Sequence, residues 1–486
     1  MNNQSNRNET FNLGTFGNDV LIYSFGQVAL LLFGFIQSLI IPKYLSTVDY
    51  GNWQLFLLWT TYVGLLQFGF LSGLLVRWAG RDINELSEEI PLAFKGIILV
   101  QALVIVLLIP IAIYGNFLPK EIAFAVLAST FISNVLTFFI VISQSIKQFK
   151  TITKANIANG SLFLIFLLII FFYGYISYIP LIFATLFSTL LLILFYIFHF
   201  RKYLFLQSTV ITSLPHYLME NIGIGIFVLL GNFIALIFVT IDRLIVGSFF
   251  SITQFAVYAF AVTLSGLAML FLQAVAQVFF PYLSGSGSET RKKAYRLLKP
   301  AIVIFWAGFL AVYYPFSAWI RYFLPHYADS LPLMAILVCT VGFSAQIQIL
   351  HANFFKVYLK QREYFLIAGA SLVVAVALNL LAFFIFGTLT AVAVTAVVSI
   401  IFWYLFNEVA LRHLVAFPIR EIVKWLLVIG MYIGAFLGSY TLPNTWVMGC
   451  SIYIVLFAGI TFIFLRREME QVWDQIVEIK IQMKSV

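Results

Sequence analysis

Charge is scarce in this chain. Of its 486 residues, 10% are Asp, Glu, Lys or Arg and 62% are hydrophobic. A soluble domain of ordinary composition carries about 25% charged residues. A water-soluble fold of this length could not cover its surface with so few. Cysteine is scarcer still. Cys339 and Cys450 both fall inside apolar runs, so a disulfide framework is not expected, and as small buried hydrophobes they need no function. The sequence offers no Ser/His/Asp grouping, no metal cluster and no Gly-rich phosphate loop. Hydrolytic, acyl-transfer and metal-dependent chemistry therefore lack candidate residues, and no cofactor is expected. His351 has no acidic or cysteine companion at ligand spacing, which argues against a metal there. Residues 1–18 are polar and Asn-rich and lack the basic start and small-residue cleavage site of a signal peptide. They read as a disordered cytoplasmic tail ahead of a retained first helix.

What the chain has in abundance is long apolar runs. Leu162 to Phe172 is unbroken, and Phe365 to Phe386 contains no charge. About 20 apolar residues span the hydrocarbon as a helix, and a helix satisfies its own backbone where lipid cannot. Runs of this length argue against a barrel of alternating strands. The expected fold is an all-α polytopic membrane protein with fourteen helices over 19–42, 54–76, 93–114, 121–145, 157–176, 178–199, 222–247, 254–282, 301–320, 332–353, 364–385, 388–409, 423–440 and 444–465. Lys and Arg gather on one side of this map: Arg77 and Arg81, then Lys147, Lys150 and Lys154, Arg201 and Lys202, the run Arg291 to Lys299, Lys356 to Arg362, and Arg412 to Lys424. The other side holds only Lys43, Lys120 and Arg321. Cations mark the cytoplasmic side, so both ends are expected in the cytoplasm. The net charge of +9 is then a topology signal that needs no nucleic-acid partner.

The chain divides into a tail (1–18), a first half (19–199), a connection (200–221), a second half (222–409), two further helices (410–465) and an amphipathic cytoplasmic tail (466–486). The connection 283–300 carries the flexible composition Ser284-Gly-Ser-Gly-Ser288 followed by a basic helical stretch. In the last tail, Met469, Val472, Ile476, Ile479 and Met483 share one helical face, suited to the headgroup region. The two halves carry a faint repeat. Lys147-Gln148 and Gly174 fall on Lys360-Gln361 and Gly387 at an offset of 213, and Leu39, Ile40 and Ser46 fall on Leu244, Ile245 and Ser251 at an offset of 205. Two-fold repeats are common in secondary transporters, with the substrate site between the halves.

Three segments are more specific. Asp242-Arg243-Leu-Ile-Val-Gly247 is followed by Phe255-Ala-Val-Tyr258-Ala259, with Ala261 beyond. Ile41-Pro-Lys-Tyr-Leu-Ser-Thr-Val-Asp49-Tyr50-Gly51 forms the first loop, and Asn379 to Thr395 contains Gly387. Together, and in this order, they resemble the polysaccharide-export, Wzx-type flippases of the multidrug/oligosaccharidyl-lipid/polysaccharide exporter superfamily. Ala256 stands where that pattern usually has Gly, and Thr390 where it has a second Gly. The resemblance implies two six-helix lobes plus two C-terminal helices. It also implies alternating-access movement of a polyprenyl-pyrophosphate-linked oligosaccharide to the outer leaflet, with that glycan, membrane lipids and other polysaccharide-assembly proteins as partners.

A diphosphate crossing hydrocarbon needs cations, and arginine's planar fork suits phosphate. Arg243, beside Asp242, is the deepest cation of the helix map. The alternative is that the pair fastens helix 7 to helix 8. Arg77 sits within a turn of an apolar run and is a second candidate, with Arg81 and Lys95 as ordinary anchors nearby. Lys43 and Arg321 could receive the headgroup outside or could snorkel. Sugars would meet neutral polar groups, for which Gln27, Gln37, Gln67, Asn134, Gln273, Gln277, Gln346, His351 and Asn353 are candidates. Each could equally serve interhelical hydrogen bonding. A cation-coupled multidrug or metabolite antiporter is the nearest rival. It needs an intramembrane acid, and helices 1 and 10 have none beyond Asp19 and Asp329 at their edges, while Glu220 borders helix 7. A membrane glycosyltransferase or polymerase is less favoured, because the external loops are short and carry only Asp49, Glu121 and Asp329 as acids.

Overall fold

A computed structural model describes residues 13–174, 176–206, 213–284, 287–441 and 445–484; the side chains of 13–25, 27, 31, 268, 270–284, 288, 469 and 471–484 are not among those described. The chain is helical, with no strand among the described residues. In order the helices are α1 (Leu13–Tyr44), α2 (Thr47–Thr60), α3 (Phe70–Trp78), α4 (Ile83–Leu86), α5 (Glu89–Tyr114), α6 (Lys120–Ser145), α7 (Phe149–Phe172), α8 (Tyr178–Leu204) and α9 (Leu214–Phe249). The second part holds α10 (Ile252–Ser284), α11 (Ser288–Leu310), α12 (Tyr313–Phe323), α13 (Ser330–Gln346), α14 (Ala352–Val357), α15 (Gln361–Phe386), α16 (Leu389–Leu411), α17 (Ile419–Thr441) and α18 (Trp446–Lys484).

Among the described residues, 11 spans are long and apolar enough to cross a membrane, or 12 if a bent pair counts as one. The expectation of fourteen is therefore not established by this count. Most helices outrun their expected bounds. α7 begins at Phe149 and takes in Lys150 and Lys154, and α18 continues through the expected tail to Lys484. Apolarity stops at the first charge, but backbone hydrogen bonds do not, and long basic side chains reach back to water. The connection 283–300 is likewise helical from Ser288 on, so its basic stretch is the first half of α11.

One expected helix is broken. The run 54–76 becomes α2, a 3₁₀ turn over Val63–Gln67 and α3, with a 62° bend. The cause is local: Phe68 and Gly69 adopt φ of 54° and 87°. Gly69 tolerates this conformation and Phe68 does so at a cost. The freed backbone groups are taken up by buried amides. Gln67 Oε1 accepts from Leu71 N at 2.6 Å, Gln101 Nε2 donates to Leu66 O at 3.1 Å, and Asn134 Nδ2 donates to Val63 O at 3.0 Å. Broken helices survive at membrane depth only with such partners.

The chain divides into two compact units, Met1–Ile40 with Leu55–Leu230 and Ile41–Gln54 with Gly231–Val486. In the first unit α3 and α9 touch backbone to backbone. A Cβ on Gly73 would stand 2.0 Å from Asn221 O, and one on Gly225 2.0 Å from Gly69 O. Small residues four apart permit such contact. In the second unit the first turns of α2 and α10 cross closely, with a Cβ on Gly51 falling 2.6 Å from Ile252 O. Beside that crossing Tyr50 packs edge-on against Tyr327 at 5.3 Å and Phe260 at 5.9 Å. Burial and the Asp49 carboxylate push the Tyr327 phenol up.

The repeat is present in the backbone. α2 and α10 both start with a side-chain cap, 205 residues apart. Asp49 N donates to Ser46 Oγ at 3.1 Å, and Gln254 N donates to Ser251 Oγ at 3.3 Å. Each serine hydroxyl in turn reaches the acceptor three residues on, at 2.6 and 3.0 Å, close to a capping box. The later register differs from the sequence match by one residue. Lys147 (φ 59°) corresponds to Leu359 (φ 57°), an offset of 212, because Gln148 N bonds Ser143 O and Lys360 N bonds Phe355 O, both at 2.8 Å. The glycines that follow α7 and α15, Gly174 (φ 72°) and Gly387 (φ 59°), keep the offset of 213.

Candidate functional site

Arg77 stands in the last turn of α3 and joins three helices of the first unit. Its Nη1 lies 3.1 Å from Glu220 Oε2 on α9, and its Nε lies 3.6 Å from Glu89 Oε2 at the start of α5. The guanidinium also sits 5.5 Å over the Tyr217 ring. The two carboxylates differ. Glu89 is 14% exposed and is held by Arg81 at 2.9 Å, Trp78 Nε1 at 3.0 Å and Tyr217 Oη at 3.3 Å. Glu220 is 46% exposed, and an ion pair in that setting contributes about 0–1 kcal/mol. Arg77 is thus oriented by a fixed carboxylate and covered by an exchangeable one. Arg81 joins the same cluster, whereas Lys95 is exposed.

Asp242 and Arg243 separate in the second unit. Asp242 is buried, and its Oδ2 accepts from Tyr258 Oη at 2.8 Å while Oδ1 accepts from Arg243 N at 2.8 Å. The aspartate fastens α9 to α10, as the alternative reading held. Arg243 is half-buried, and its Nε–H makes no hydrogen bond. Lys43, 5.9 Å from the Phe323 ring, and Arg321 are both exposed.

The amides fall into groups. Gln67 and Asn134 serve the broken helix, and Asn134 also donates to Gln101 Oε1 at 3.0 Å. Gln37 is half-buried on α1. Gln346 is buried on α13, spends its Nε2 on Gly342 O of its own helix at 3.2 Å and leaves Oε1 unbonded. Asn353 likewise bonds its own helix, at Ile349 O. The side chains of Gln27, Gln273 and Gln277 lie outside the described residues.

Sequence reasoning missed a cluster in the second unit. Lys299 on α11 is 2.6 Å from Glu408 Oε1 on α16, with 0% and 1% of their side chains exposed. His351 Nε2 and Tyr295 Oη reach the same oxygen, each at 2.9 Å. His351 ends a π-helical turn, Ile347–His351, between α13 and α14. The acid His351 lacked in sequence is thus 57 residues away. Glu408 closes an apolar run, the one signal the sequence carries for it, and Lys299 stands just ahead of the span expected to begin at residue 301. No group of three or more His, Cys, Asp or Glu side chains gathers to hold a metal among the described residues.

Residues 16–286, more than half of the chain, match the sequence profile of a family described as polysaccharide biosynthesis protein. The chain belongs to that family. No curated protein matches it in sequence. The chain is similar in fold to the lipid II flippase MurJ in an inward closed conformation, with a TM-score of 0.69 at 15% identity, covering 92% of this chain and 100% of that one. It is also similar to an inward-facing multidrug-resistance MATE transporter of the MOP superfamily, with a TM-score of 0.59 at 13% identity over 81% and 95% of the two chains. The MATE transporter VcmN of Vibrio cholerae gives 0.54 at 14% identity over 82% and 97%. The chain therefore shares its fold with a flippase and with MATE transporters.

Proposed function

We propose that the protein is a flippase that carries polyprenyl-pyrophosphate-linked oligosaccharide repeat units from the cytoplasmic to the outer leaflet of a plasma membrane for surface polysaccharide synthesis. Its family works in polysaccharide biosynthesis and its fold is shared with a lipid II flippase. The observation that carries the reading is Arg77. Glu89 holds its Nε side, and the half-exposed Glu220 covers Nη1. An arriving diphosphate displaces Glu220 and takes the fork with charge-assisted hydrogen bonds. Glu220 meanwhile stabilises the empty site, so the cation need not stand unpaired in a low-dielectric setting. Arg243, with an unused Nε–H, is a second station for the same group. Gln37 and Gln346 contribute to the glycan path. Alternating access between the two repeat-related halves moves the headgroup while the lipid tail stays in the bilayer. Membrane lipids and the other assembly proteins of the glycan are its partners.

The test is deletion of the gene in a strain carrying its native glycan locus. Accumulated lipid-linked repeat units with no surface glycan, both reversed by the plasmid-borne gene, are expected. Normal surface glycan in the deletion would end the reading. One observation favours a second reading, a cation-coupled antiporter: Glu408 supplies the buried acid such a protein needs. Drug or metabolite efflux that follows the gene, with glycan export unaffected, would select it.

A further inference from the structure

The Glu408 cluster is unused by the anion path and is built unlike an ordinary buried ion pair. Glu408 Oε1 takes three donors, from Tyr295, Lys299 and His351. His351 Nδ1, also buried, makes no hydrogen bond. Packing alone does not call for an unspent ring nitrogen in such a cluster, since buried polar atoms without partners are rare in folded proteins. An ionised carboxylate only accepts, so the bond from His351 assigns the ring hydrogen to Nε2 and leaves Nδ1 a bare lone pair. That nitrogen is a base whose ordinary titration lies near neutrality. The backbone agrees: His351 closes a π turn, an element that recurs at functional sites.

We propose that Lys299, Glu408 and His351 form a proton-binding site that couples proton movement to the transport cycle. The proposal rests on the chain being a transporter, whatever its substrate. In the form seen here the ammonium of Lys299 and the carboxylate of Glu408 cancel and the imidazole is neutral. One proton from water adds to His351 Nδ1, and the imidazolium raises the cluster's charge by one. Release of that proton to water on the other side restores the first form, and no other group changes. The imidazolium and the ammonium then compete for one carboxylate. The contact of α11 with α16 and the π turn is loosened, and this gives protonation a structural output. The other groups facing the cluster are Tyr295 on α11, Tyr404 on α16 and Glu421 in the first turn of α17, which acts on Lys299. Arg296 is turned away and bonds Ala416 O at 3.0 Å. Lys299 also lies 4.5 Å from the Phe417 ring centroid and 5.4 Å from that of Tyr404, which holds the ammonium when Glu408 turns to the imidazolium.

The experiment is nitrogen NMR of the full chain, labelled at histidine nitrogens and held in lipid nanodiscs, titrated from about pH 5 to about pH 9. It needs no glycan, so its failure is separate from failure of the flippase reading. The His351 signal is assigned by its loss in H351Q, whose amide still offers a donor to Glu408. The expected result is a neutral Nε2–H tautomer that converts to imidazolium, with proton affinity lowered about tenfold or more in E408Q. A signal that stays neutral throughout, or that titrates identically in E408Q, overturns the proposal. In the native host, H351Q is expected to reach the membrane in normal amounts and to remove the dependence of export on external pH. Export by H351Q that keeps the wild-type pH response also overturns it.

Discussion

Arg77 and Glu220 meet at 3.1 Å between α3 and α9, and the carboxylate is the more exposed partner, at 46% against 31% for the arginine. A pair of this kind is held weakly and is open to exchange. Arg77→Gln is expected to lower glycan export about tenfold or more with normal insertion, because a neutral amide cannot supply a charge-assisted fork. Glu220→Gln is expected to keep export within about threefold, since the arginine remains. Surface glycan per unit of membrane-inserted protein is the measurement. Equal losses in both variants would make the pair a structural clasp.

Tyr258 and Asp242 belong to one sequence motif and bond each other. Tyr258→Phe leaves a buried carboxylate oxygen without its donor, which costs about 1–3 kcal/mol. A lowered thermal midpoint in detergent, larger than for Tyr322→Phe at an 80% exposed position, is the expected outcome.

Asn134 joins Val63 O and Gln101 Oε1 with one amide group. Asn134→Ala unpairs both and is expected to cost about 1–3 kcal/mol. Asn134→Asp also removes the donor and adds a buried charge, so it is expected to be worse. Thermal midpoints of the purified variants order the three proteins.

Gly73→Ala puts a methyl group 2.0 Å from Asn221 O, whereas a Cβ on Gly34 meets nothing within 4 Å. Forced separation of packed helices costs about 1–3 kcal/mol or more. Gly73→Ala should lose folded protein in fluorescence-detected size exclusion, and Gly34→Ala should not.

The membrane class and the repeat were legible because each rests on local signals. Apolar runs announce spans, and Ser46 and Ser251 cap equivalent helices with their own neighbours. The break in the second span was not read, although Phe68-Gly69 marks it. Hydropathy is blind to φ, and what the path candidates Gln67 and Asn134 bond is visible only once the neighbouring helices are packed. The site divided similarly. Arg77 was found because a cation beside an apolar run is visible locally, but its partners lie 12 and 143 residues away. Lys299 and Glu408 were missed because each sits at the margin of its own run and only the packing of α11 on α16 makes them a buried pair.

The central claim is tested most directly by flipping in vitro. Purified protein is reconstituted into vesicles loaded with the native lipid-linked oligosaccharide, and exposure of the glycan to a membrane-impermeant glycosidase is followed with time. Wild-type protein is expected to convert the protected inner-leaflet pool into a cleavable one, with Arg77→Gln about tenfold slower. An inner pool that stays protected, with protein shown to be folded and inserted, would contradict the account.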